Sequence, residues 1–267
     1  MSKPLVLTRL LMAGAALLSS CVAVYVPTTP STPILEKNQV EITAGLRSVR
    51  YGEMNAAWSP VNHLLVTGEI AADIATSTSY STNGQGVTTM YKDYHRQGGV
   101  GVGYYISPGA ARKMYMAAVA GTGWGNSSFY ASEDFKTASV FFPFPVPTRN
   151  GVYEARYQRY YGQVYFATPA TKPGPQLGLS LRAVWLNYTT LTYDNQPIVP
   201  SNRAFLEPSF FARFGKGPLR FYISGGFSLP LSSDRANPAD GRTASTSYLF
   251  GGGLILRPDL LRHRDQQ

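Results

Sequence analysis

The chain is short of the residues that build metal centres and disulfides, with one cysteine, Cys21, and three histidines in 267 residues. A single cysteine excludes an internal disulfide, so stability must come from packing and backbone pairing. His63 falls in a turn and His263 in a basic tail, so no metal cluster can be assembled from histidine and cysteine, and no cofactor is expected. Charged residues make up only 15% of the chain, and beyond Cys21 no apolar run approaches the ~20 residues that a membrane-spanning helix needs. Gly98-Gly99-Val100-Gly101-Val102-Gly103 lies within an alternating segment and no helix follows it, which excludes a phosphate-binding loop.

The N-terminus is better defined. Lys3 and Arg9 precede an apolar run from Leu10 to Leu18, the pattern of a secretory signal. Leu18-Ser19-Ser20-Cys21 resembles the lipobox of bacterial lipoproteins, which implies that Cys21 is lipidated and begins the mature chain. Residues 1–20 are then the signal peptide. Residues 21–39, with Pro27, Pro30 and Pro33 among threonines and serines, read as a flexible tether. The formal charge of +9 falls to +7 once Lys3 and Arg9 leave with the signal. An exported protein rarely meets nucleic acid, so none is expected as a partner.

From Val40 onwards, apolar and polar residues alternate with a period of two, the pattern of strands with one greasy and one wet face. Val40, Ile42, Ala44 and Leu46 oppose Glu41, Thr43, Gly45 and Arg47. Leu177, Leu179, Leu181, Ala183 and Trp185 oppose Gln176, Gly178, Ser180 and Arg182. Ten such segments occur, at 40–47, 54–58, 64–75, 94–106, 114–124, 155–166, 176–185, 206–214, 219–229 and 248–256. The sixth is the least regular: Arg159, Tyr161 and Gln163 form a plausible inward set, with the opposite phase open.

Connections after the second, fourth, sixth and eighth segments are short, whereas those after the third (76–93), fifth (125–154), seventh (188–203) and ninth (231–246) are long. Short turns on one rim and long loops on the other mark outer-membrane barrels. Trp58, Tyr104, Phe214 and Phe221 at one end of the apolar faces, with Trp185 and Tyr248 at the other, form two aromatic girdles. Strand alternation alone also fits a soluble lipid-tethered barrel with its leucines inside. Loop asymmetry, girdles and small residues at Gly99, Gly101 and Gly103 on the polar face favour the membrane form. The expected fold is therefore an all-β, ten-stranded, antiparallel up-and-down transmembrane barrel over 40–257, followed by a basic tail at 258–267. The whole mature chain resembles the small outer-membrane β-barrel lipoproteins of Gram-negative bacteria.

Inward charges should form a mixed-sign lumen network of Glu41, Arg47, Glu69, Asp73, Arg96, Arg159, Arg182, Glu207, Arg213 and Arg220, because charges in a narrow barrel need partners. A second candidate is Asp73, Asp93 and His95 at the outer end of the third and fourth strands. Asp93-Tyr94-His95 resembles the Asp and His groups of the omptin proteases, also ten-stranded outer-membrane barrels, which implies a hydrolase in which a carboxylate orients a water-activating histidine. Arg112, Lys113, Lys172, Lys216, Arg257, Arg262 and Arg264 collect near the periplasmic side, where anionic headgroups could be met.

These features lead to an expectation of a lipid-anchored outer-membrane protein without enzymatic activity, structural or surface-interacting, with a filled lumen and both barrel termini periplasmic. The alternatives are the hydrolase, or a narrow porin-like pore or small-ligand carrier. Outer-membrane lipid and lipopolysaccharide are the expected partners, with an extracellular ligand possible at the long loops.

Overall fold

A computed structural model describes residues 24–47, 50–74, 77–82, 88–106, 114–131, 151–168, 174–199, 202–231 and 247–261. The signal peptide, Cys21, Arg112, Lys113, Lys172, Arg262, His263 and Arg264 lie outside them. The described residues form twelve strands: β1 Val40–Arg47, β2 Tyr51–Trp58, β3 Leu64–Asp73, β4 Ser77–Thr82, β5 Thr88–Ile106, β6 Tyr115–Ala131, β7 Gly151–Ala167, β8 Gln176–Tyr193, β9 Gln196–Pro197, β10 Arg203–Phe214, β11 Leu219–Pro230 and β12 Ser247–Leu256.

Ten of these strands pair antiparallel with their neighbours, and β1 closes the ring on β12, with Ile42 opposite Leu256 and Arg47 opposite Gly251. Closure leaves the sheet no free edge, which permits strands to stand in lipid. The two extra strands lie at the long-loop rim. β4 pairs with the first part of β5, from Ser77 opposite Asp93 to Thr82 opposite Thr88. β9 pairs with the end of β8 across Asp194 and Asn195, both at positive φ, as a tight hairpin turn requires.

The expected loops are thus partly sheet. Much of 76–93 is a hairpin, β6 runs on to Ala131, β7 starts at Gly151, and β8 reaches Tyr193. Polar sequence in these stretches hid the strands because pairing beyond the apolar belt needs no greasy face. The opposite rim keeps its short connections, with His63 at φ 68° and Gly215 and Gly217 at φ 94° and 83° making the bends.

The direction of the faces is unambiguous. Val100, Leu179, Ile70, Phe221 and Trp58 stand on the outside and are exposed, while Glu41, Glu69, Arg159, Arg182 and Glu207 are buried inside. An apolar belt on the exterior around a charged interior is the arrangement of a lipid-facing barrel and the reverse of a soluble one. The irregular sixth segment, β7, follows the phase suggested for it: Tyr157, Arg159, Tyr161, Gln163 and Tyr165 all point inward and are buried. Glycines on that inner face relieve crowding. A Cβ on Gly125 would sit 2.2 Å from the Tyr157 ring, and one on Gly101 would sit 2.7 Å from the Tyr161 hydroxyl.

Candidate functional site

The lumen holds the polar chemistry of the molecule, and it holds a segment of the chain that the sequence pattern placed elsewhere. Residues 24–35 do not form an external tether. Val24, Tyr25, Thr28, Thr29 and Leu35 are buried within the barrel. Both ends of this plug touch β6: Ser127 Oγ donates to the Val24 carbonyl at 2.8 Å, and the Leu35 amide donates to Tyr115 Oη at 3.5 Å.

Between those points the wall supplies donors to the plug's carbonyls. Gln97 Nε2 donates to Val26 at 2.9 Å, Gln163 Nε2 to Ser31 at 2.7 Å and Tyr165 Oη to Pro33 at 2.6 Å. Arg182 and Arg213 donate to the carbonyls of Thr28 and Thr32. The Thr29 amide donates to both carboxylate oxygens of Glu53 at 3.1 and 3.2 Å. A proline-rich segment suits this position, since Pro27, Pro30 and Pro33 bring no amide hydrogens and so leave fewer buried donors to satisfy.

Around the plug the lumen is layered. Near the short-turn rim, Tyr105 stacks on Tyr115 at 5.5 Å, and Tyr115 on Tyr165 at 6.1 Å. Towards the long-loop rim, Tyr25 packs edge-on to Tyr157 at 5.9 Å and lies 4.9 Å from Phe205, while Phe129 stacks on Tyr153 at 5.3 Å.

The charged layer lies between them. Arg47 pairs with Glu53 at 3.0 Å, and Arg213 with Glu41 at 2.9 Å. Glu69 contacts Arg159 and lies 3.5 Å from Arg182, which also reaches Glu207 at 2.6 Å. Four arginines thus face four glutamates, which leaves no uncompensated charge among these eight groups. Beside the plug, a crevice lined by Thr29, Thr32, Asn55, Arg213 and Tyr222 has a volume of about 20 Å³, room for about one water.

Of the ten residues expected in the lumen network, seven meet here, Glu41, Arg47, Glu69, Arg159, Arg182, Glu207 and Arg213, and three do not: Asp73 is bound to Arg50, and Arg96 and Arg220 lie elsewhere. Arg96 is exposed on the exterior, because His95 and Gln97 occupy the inward phase of β5 and Arg96 must take the other. Arg220 is half-buried at the short-turn rim, where its Nε donates to the Gly217 carbonyl, apart from the network. Arg257 is no surface cation: it is buried and bound to Asp259 at 2.9 Å. Glu53 belongs to this network although it precedes the alternating segment at 54–58, because β2 begins at Tyr51. Its phase, shared with Asn55 and Ala57, carried the signal.

Asp73, Asp93 and His95 come close along the chain without forming a catalytic pair. Asp73 accepts from Arg50 at 3.0 and 3.3 Å and from the backbone amide of His95, not from its ring. Asp93 accepts from the Tyr130 amide at 2.9 Å. The buried His95 ring lies edge-on to Tyr51 at 6.0 Å, and neither ring nitrogen has a hydrogen-bond partner in the described structure. Arg47, Arg159 and Arg50 are the charged groups that act on it. A carboxylate that would orient the ring is therefore missing from its described surroundings.

No protein-family model and no curated protein sequence matches this chain. Among solved structures, it is similar to the outer membrane protease OmpT from Escherichia coli, with 9% identity and a TM-score of 0.46 over 82% of this chain and 93% of that one. The likeness concerns the fold alone and transfers no residue role. The similar barrel is a protease, and the expectation of a protein without enzymatic activity is withdrawn.

Proposed function

We propose that this protein is an outer-membrane barrel, lipid-anchored through Cys21, with a structural or surface-interaction role exercised at its long-loop rim. The observation that carries the reading is the lumen, sealed by the chain's own residues 24–35 and by paired charges instead of being left open. A barrel filled in this way has its outer surface and rim available for interaction. The apolar exterior meets membrane lipid, and the β4–β5, β6–β7 and β8–β9 extensions stand beyond the aromatic level of Trp185.

Planar-bilayer recording tests the sealed lumen. The full chain is expected to give no conductance steps, and a variant lacking residues 24–35 is expected to give them. Steady conductance from the intact chain would overturn the reading in favour of a pore. Loss of surface adhesion on trimming the 132–150 and 232–246 segments, with the barrel still folded, would support the rim as the interacting part.

A further inference from the structure

The plug has a direction. Its Leu35 end meets Tyr115, the first residue of β6 at the short-turn rim, and its Val24 end meets Ser127, twelve residues further along the same strand. Twelve tilted strand residues advance about 30 Å along a barrel axis. Past Ser127 the wall of β6 continues for only four residues, to Ala131, or about 10 Å. Cys21 precedes Val24 by three residues and so lies within about 11 Å of it even in fully extended chain. That reach is enough for the long-loop rim and falls far short of the opposite one.

We infer that the mature chain starts at the long-loop, outward rim and threads down its own barrel before entering β1, so that the group carried by Cys21 is presented to the outer leaflet. Three contacts spaced along the segment fix this sense: Val26 to Gln97, Thr29 to Glu53, and Pro33 to Tyr165. A lipid at the short-turn rim would need the plug to run the other way. The part concerning lipid rests on the proposed acylation of Cys21, whereas the threading itself does not. The chemical class of the presented group is an acylated, thioether-linked glyceryl cysteine.

The test uses the full chain in cells, with an epitope inserted after Val22. A second chain carries Val24→Cys and Ser127→Cys to report a seated plug. Antibody binding to intact cells equal to that after permeabilisation, together with an oxidant-formed crosslink, is the expected result. A crosslink with the epitope reached only after permeabilisation overturns the outward presentation, and no crosslink in the untagged pair overturns the threading. Metabolic labelling with an alkyne fatty acid, lost in Cys21→Ala, reports acylation separately. An accessible epitope without label would remove the lipid and leave the threading standing.

Discussion

Arg182 and Glu207 stand directly opposite each other on β8 and β10 and are joined twice, Nε to Oε2 at 2.7 Å and a terminal guanidinium nitrogen to the same oxygen at 2.6 Å, with both side chains fully buried. Glu207 also accepts from Tyr25 Oη and Ser228 Oγ, each at 3.0 Å, so one carboxylate ties wall to wall and wall to plug. Replacing Glu207 with alanine strands a buried guanidinium and is expected to destabilise the barrel by about 3–5 kcal/mol. The double variant Arg182→Met with Glu207→Leu removes both charges and should recover most of that loss. Heat-modifiability midpoints on detergent gels measure both.

Glycine at the inner face is tested by a contrast. Gly125→Ala places a methyl against the Tyr157 ring and should cost about 1–3 kcal/mol through overpacking. Gly162 faces outward with nothing within 4 Å, and Gly162→Ala should shift stability by about 0.5 kcal/mol or less. Equal effects at the two positions would mean that the lumen is looser than the tyrosine contacts require.

Lipid contact is tested at Leu181, an exposed residue of β8 between the aromatic levels. Leu181→Arg is expected to cost about 2–4 kcal/mol in bilayers, the depth-dependent cost of a cation at the midplane. A soluble barrel would tolerate the same change on its exposed face. Unfolding measured in lipid vesicles distinguishes the two.

Below the barrel, Asp259 holds the start of β1, accepting from the Val40 amide at 3.4 Å and from Arg257 at 2.9 Å. Partial burial pushes its carboxyl pKa up, but the bonds to Arg257 and that cation's charge outweigh the burial and hold it below the usual aspartate value. A depressed carboxyl contributes stability that is present above the unfolded-state pKa of about 3.9 and is lost as the pH falls through the folded value. Acid titration of the unfolding midpoint should therefore show a loss below about pH 4 that is absent in Asp259→Asn. The expected size is about 1 kcal/mol or less, because the Asp259 carboxylate stands at the rim and keeps contact with water.

Period-two alternation makes ten strands countable and places Leu179 and Arg182 on opposite faces, because a strand exposes its side chains in turn to two different solvents. The same parity, carried through β5 and extended from Met54 back to Tyr51, assigns Arg96 outward and Glu53 inward. Strands beyond the apolar belt, such as Ser77–Thr82, escaped because nothing in their composition separates a wet hairpin from a loop. His95 looked functional from its acidic neighbours in sequence, yet Asp73 is taken by Arg50 and Asp93 by Tyr130.

By itself the sequence determined the ten strands of the barrel wall and their greasy face, both of which depend on neighbours one or two residues apart. Only the tertiary structure decided where residues 24–35 lie. Their partners sit on β2, β5, β6, β7, β8 and β10, up to 182 residues away in the case of Tyr25 and Glu207. A proline-rich segment looks the same whether it hangs in water or fills a lumen. The difference lies in which distant side chains satisfy its carbonyls, and closing the barrel is what brings those side chains together.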